Sequence, residues 1–143
     1  MKSFILMMAA AIVSTATLSA ENKPIEYNQL PETAKTFVMA HFPSAVPVLV
    51  TVEDDLIKPD YELMFEDGVK LDFYNNGSLK GIESVAGVPE NLIPAKIVEY
   101  VKGRFPTALI VDYEVGRKTN EVKLSNGLEL KFNKNSQLIE VDD

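Results

Sequence analysis

Apolar and polar residues alternate along this chain with two different periods, and the same succession of periods occurs twice. From Leu30 the pattern Leu30, Ala34, Phe37, Val38, His41, Phe42 has the spacing of one face of an amphipathic helix. From Ile93 the same spacing returns as Ile93, Ile97, Tyr100, Val101, Arg104, Phe105. Asn28 and Asn91 precede these stripes and are the expected N-caps, which puts Pro31 and Pro94 in the first turn, where a missing N–H costs nothing. Pro43 and Pro106 end both helices, because a residue before proline is pushed out of the α region.

Period-2 segments follow each helix. Val46–Glu53 and Leu109–Val115 read as strands, with Val48, Val50 and Val52 on one face answered by Val111, Tyr113 and Val115. Tyr61–Glu66 and Val69–Tyr74 flank Asp67-Gly68, while Glu121–Ser125 and Leu128–Asn133 flank Asn126-Gly127; both dipeptides predict hairpins with type I′ turns. The expected core face is Leu63, Phe65, Val69, Leu71 and Phe73 in the first copy. In the second it is Val122, Leu124, Leu128, Leu130 and Phe132. Turns at Asn75-Asn76-Gly77 and Lys134-Asn135-Ser136 lead to last strands at Leu79–Glu83 and Leu138–Val141.

The expected fold class is therefore α+β, a tandem repeat of one helix packed on a four-stranded antiparallel meander. Leu30–Ala45 aligns with Ile93–Ala108, and Tyr61–Leu79 with Asn120–Leu138; the first copy has extra loop from Asp54 to Asp60. Residues 21–84 and 85–143 are the expected repeats, too small to hold separate large cores and so expected to share an interface or a sheet.

Residues 1–20 change the picture of where the chain works. Lys2, the apolar run Phe4–Val13 and Thr17-Leu18-Ser19-Ala20 have the three parts of a secretory signal peptide, with cleavage before Glu21. The run is short for a membrane span. With no cysteine, neither a disulfide nor a lipid-anchored cysteine is available, which suits a bacterial periplasm or cell exterior.

The formal net charge is −7, and losing the leader removes Lys2 and no acid. That balance argues against nucleic acid, and no basic amphipathic stretch suggests adsorption to anionic lipid. Catalysis has little to stand on: one histidine, no cysteine, no Gly-rich phosphate loop and no nucleophile elbow. His41 reads as a partly buried or boundary residue, matched by Arg104. Glu53-Asp54-Asp55 with Asp60 lacks the alternating spacing of a calcium loop and reads as solvated loop. No catalytic residue, metal site or cofactor is expected.

The sheet face away from the helices carries the remaining signal. Alternation assigns it Leu49, Thr51, Glu62, Met64, Lys70, Asp72 and Tyr74 in the first copy. Asp112, Glu114, Glu121, Lys123, Glu129, Lys131 and Asn133 fall there in the second. The second set is a solvated mixture of charges. Leu49, Met64 and Tyr74 read either as part of a partner surface or as packing beneath the linker, the other repeat or the 53–60 loop. Leu49, Thr51, Met64, Lys70, Asp72 and Tyr74 are the candidate partner-binding residues.

A Leu-Pro opening a helix, a Phe-Pro closing it, a Tyr-x-Leu hairpin and Phe73-Tyr74-Asn75-Asn76-Gly77-Ser78-Leu79 together resemble the secreted PepSY-like, β-lactamase-inhibitor-like family. The resemblance spans nearly all of residues 21–143. Leu79 and Leu138 stand where the family often has tryptophan, and Ser136 replaces the turn glycine in the second copy. The resemblance implies a periplasmic or secreted non-catalytic module that binds a protein or peptide through its open sheet face, with inhibition of an enzyme or peptidase as the narrower form. The alternative is a structural or accessory envelope protein whose halves pack or dimerise.

Overall fold

The computed structural model describes residues 22–53 and 59–143. The expected signal peptide, and Asp54 and Asp55 of the acidic loop, lie outside the described residues. Among the described residues nine strands form one antiparallel sheet in chain order: β1 (Asn22–Pro24), β2 (Pro47–Glu53), β3 (Tyr61–Phe65), β4 (Lys70–Phe73), β5 (Leu79–Glu83), β6 (Ile110–Val115), β7 (Thr119–Leu124), β8 (Glu129–Asn133) and β9 (Leu138–Asp142). Helix α1 (Glu32–His41) precedes β2, and α2 (Ala95–Arg104) precedes β6. The sheet runs without a break from β5 into β6 through Gly81↔Glu114, Ile82↔Tyr113 and Glu83↔Asp112.

Both helices begin later than the caps at Asn28 and Asn91 require. Leu30 and Ile93 are extended (ψ 148° and 142°) because each precedes a proline, so neither helix can run back through them. Pro31 and Pro94 are themselves the N-caps, and the two asparagines lie in separate 3₁₀ turns, Tyr27–Gln29 and Glu90–Leu92. At the far end Phe42 N–H donates to Val38 O (2.8 Å) and Phe105 N–H to Val101 O (2.7 Å) before the closing prolines.

One continuous row of side chains crosses the sheet beneath the helices: Val50, Leu63, Leu71, Ile82, Tyr113, Val122, Leu130 and Val141 are successive cross-strand neighbours. All but Val141 are buried. Ala34 and Val38 of α1, with Ile97 and Val101 of α2, complete this core. Phe37 meets Phe73 edge-on at 5.9 Å, and Tyr100 meets Phe132 the same way at 5.7 Å.

Two expectations about strands fail for the same reason, an extra residue in the ladder. The register shifts between Pro47 and Leu49 and between Ile110 and Asp112, so Val48 and Val111 are the inserted residues. Val48 is 55 % exposed, while Ile110 is buried. The hairpin turns are not type I′ either, because only their glycines have positive φ (Gly68 91°, Gly127 94°). Gly68 N–H donates to Phe65 O and Phe65 N–H to Val69 O, the three-residue loop of a type I turn closed by a residue in αL. The turns at Gly77 and Ser136 repeat this bonding, with φ 88° and 62°. The side chains of Asp67, Asn76 and Asn126 each accept the N–H two residues on, which holds the loop in that shape.

Candidate functional site

The face opposite the helices is built by the same register. Two rows cross it: Leu49, Met64, Lys70, Glu83, Asp112, Lys123, Glu129, Asp142, and beside it Thr51, Glu62, Asp72, Gly81, Glu114, Glu121, Lys131, Glu140. Among the described residues no helix lies on this side. The charges of the second half thus continue those of the first across the β5–β6 seam, and carboxylates dominate both rows.

The six candidate residues lie along one face, from the β2 end to the β4–β5 corner. Leu49, Met64 and Lys70 are consecutive across β2, β3 and β4, and Leu49 is 42 % exposed. Thr51 and Asp72 flank Glu62 in the adjoining row. Tyr74 is four residues beyond Lys70, about 13 Å away at the rise of a strand. Its hydroxyl donates to Val115 O, so it ties the β4–β5 corner to the β6–β7 corner, and the Lys80 ammonium lies 5.7 Å from its ring centre. Leu49 and Met64 are an apolar cross-strand pair at the β2 end of the face.

Alternation did not point to Lys80. The ladder shifts between Asp72 and Phe73, where Phe73 pairs with Leu79, and the Lys80 ammonium meets Asp60 at 2.6 Å. That hydrogen bond, together with nearby carboxylates, raises the Lys80 pKa. A cleft of about 270 Å³ is lined by Thr51, Glu53, Asp60, Glu62, Asp72 and Lys80, among others. Asp60 is thus a half-buried ion-pair partner rather than a free loop acid.

Burial pushes the carboxyl of Asp72 up to about 6, with Glu62 adding to the shift and Lys80 opposing it. Asp112 is likewise raised to about 6 by burial, with Glu114 and Glu83 adding and Lys123 opposing. Gly81, between Asp72 and Glu114 in the row, has no side chain, and a Cβ there would sit 3.3 Å from Tyr113 O and 3.7 Å from Asp72 Oδ2. The two crowded aspartates thus flank the seam where the halves join.

His41 is exposed rather than at a boundary; its ring lies 4.6 Å from Phe37 in the last turn of α1. Among the described residues no three acidic or histidine side chains are placed to hold a metal ion, and no helix is long and apolar enough to cross a membrane. A separate apolar depression of about 450 Å³ lies where α1 meets β2, lined by Val38, Met39, Phe42 and Pro47, among others.

A single antiparallel sheet with both helices on one face and a charged opposite face defines the molecule as an open-faced α+β module. The chain belongs to the family described as "Putative beta-lactamase-inhibitor-like, PepSY-like", whose model matches residues 16–81 and 59–140. It is similar to a Bacteroides thetaiotaomicron protein described as a "putative calcium-regulated periplasmic protein", at 35 % identity and a TM-score of 0.82 over 87 % of this chain and 99 % of that one. A DUF2874-family protein of Bacteroides vulgatus described as a "putative periplasmic protein" is also 35 % identical, with a TM-score of 0.79 over 86 % of this chain and 98 % of that one. A second Bacteroides vulgatus protein, described as a "putative periplasmic protein of unknown function", is 28 % identical with a TM-score of 0.80 over 85 % and 99 %. No curated protein matches the chain. The periplasmic descriptions of these neighbours support export of this chain.

Proposed function

We propose that this chain is an exported, non-catalytic binding module, two copies of one α-β-β-β-β unit (21–84 and 85–143) behind a cleaved leader (1–20). Its open sheet face engages a positively charged segment of a protein or peptide. The observation that carries this reading is the acid-rich face running unbroken from β2 to β9, with the Leu49–Met64 pair at one end. Carboxylates held close together repel one another, and a cationic partner relieves that repulsion while its apolar groups cover Leu49 and Met64. Thr51, Lys70 and Asp72 border that pair, whereas Tyr74 acts mainly between the halves. Inhibition of an enzyme is the narrower form of the same reading.

The accessory alternative draws on one observation, the bond from Tyr74 to Val115 that spends a face residue on internal packing. Calcium regulation belongs to the description of one relative. Among the described residues here no group of three acids is placed for a cation.

The test is retention of envelope proteins on immobilised residues 21–143, with a Met64→Lys plus Asp72→Lys bait of matched thermal stability. A protein held by the wild type, released by salt and missed by the double variant supports the reading and identifies the partner. Equal retention by both baits removes the face as the binding surface.

A further inference from the structure

The two edges of the sheet are unlike. At one edge β2 is covered by β1, three residues ending in Pro24, and a proline has no N–H to offer a further strand. At the other edge is β9, five residues with no proline, and among the described residues no strand lies beyond it.

The ladder shows which groups β9 leaves open. Leu124 N–H donates to Leu128 O, so that pair is hydrogen-bonded. Antiparallel pairs alternate, so Val122 and Leu130 are hydrogen-bonded too, and the backbone groups of Leu130 point to β7. Leu130 and Val141 are then a non-bonded pair, and the N–H and C=O of Val141 point out of the sheet edge.

In the first half the same edge is filled. Ile82 is opposite Leu71 as Val141 is opposite Leu130. Ser84 N–H donates to Val111 O (2.9 Å), which makes Ile82 and Tyr113 a hydrogen-bonded pair by the same alternation. Ile82, covered by β6, is 1 % exposed; Val141, with no strand beyond it among the described residues, is 51 % exposed. Where β5 has Gly81 and Glu83 on the open face, β9 has Glu140 and Asp142.

We propose that the β9 edge takes up an extended cationic segment of a partner protein as a tenth, antiparallel strand, with an apolar residue opposite Val141 and lysine or arginine opposite Glu140 and Asp142. The fit copies the seat of β6 on β5, where Tyr113 covers Ile82. Charge selects the occupant. A second copy presenting its own β9 would set Glu140 or Asp142 against the same acids, whether Val141 met Val141 or Ile139, and like charges directly opposite are unfavourable. The site is the backbone of one strand, so the inference does not rest on the open-face reading.

The probe is a fluorescent, N-acetylated seven-residue peptide alternating lysine and valine between terminal threonines, titrated into residues 21–143 and followed by anisotropy. Val141→Pro removes the outward N–H while leaving the β8 side of the ladder intact, as proline is tolerated on an edge. The expected results are saturable binding, at least a tenfold weaker affinity for Val141→Pro and for Glu140→Lys plus Asp142→Lys, and none for a peptide N-methylated at alternate residues. The methylated peptide is tested on the wild type, so it decides the matter even if the proline variant is unstable. Absence of binding, or equal binding by wild type and a folded Val141→Pro, overturns the proposal; equal binding places the peptide on the open face or elsewhere. Sedimentation showing a wild-type dimer that Val141→Pro makes monomeric also overturns it, because the occupant is then a second copy.

Discussion

Asp72 and Asp112 show how a surface residue acquires an unusual chemistry from its neighbours. Neither has a distinctive sequence context, yet burial in the carboxylate-rich rows lifts both to about 6. The folded protein then binds protons that the unfolded chain has already released between roughly pH 4 and 6. Their contribution to stability is therefore present at low pH and lost as pH rises through that window. Asp72→Asn removes the buried charge and is expected to raise the melting temperature at pH 7.5, with the gain fading towards pH 4. Thermal unfolding of wild type and variant across that range checks it, and a gain constant with pH contradicts the assignment. The binding proposed for the open face gains from the same crowding, since a cation relieves it at neutral pH.

Among the elements, the four turns are the most legible, and two of them differ from expectation in type. Asp67-Gly68 and Asn126-Gly127 locate the hairpins, but each adopts one αL position rather than the two of a type I′ turn; Asn75-Asn76-Gly77 and Lys134-Asn135-Ser136 locate the other two turns. What surrounds each glycine was not legible. Gly68 has open space around it, whereas a Cβ on Gly77 would come within 2.9 Å of Pro31 Cβ and 3.0 Å of the Ala34 backbone nitrogen. The turn between β4 and β5 is packed against the start of α1. Gly68→Ala is expected to cost about 1–2 kcal/mol, the price of αL for a residue with a side chain. Gly77→Ala adds a clash with backbone, worth a further ~1–3 kcal/mol. Chemical denaturation of the two variants measures the difference; equal losses would mean that α1 is free to move off the turn. The register shifts at Val48 and Val111 escaped the alternation rule for a related reason, because a bulge is set by the pairing partner and leaves no mark in the strand's own sequence.

For the whole molecule the decisive feature is the β5–β6 seam. The two helices and the core rows they cover are joined by Ile82 against Tyr113 and by Tyr74 reaching Val115. A core row that crosses the seam favours unfolding as one unit. Ile82→Ala, which empties a fully buried place on that row, is expected to cost about 2–5 kcal/mol. The loss should appear in a single transition, with circular dichroism and tyrosine fluorescence coinciding. Two separated transitions would show that the halves fold independently.

The sequence by itself determined both helices and the strands from β2 to β9, most of the residues that face the helices, and where the chain turns. Those are local matters of period, proline placement and glycine, and each residue carries its own part of the signal. It also carried the family resemblance and the reading of an exported chain. Only the tertiary structure decided that one sheet runs through both halves and that Asn22–Pro24 forms a strand on its edge. It alone bonded Tyr74 to Val115 and joined Lys80 to Asp60. Strand pairing, bulges and burial-driven pKa shifts depend on residues distant in the chain, and a local pattern holds no record of which distant residue will stand opposite.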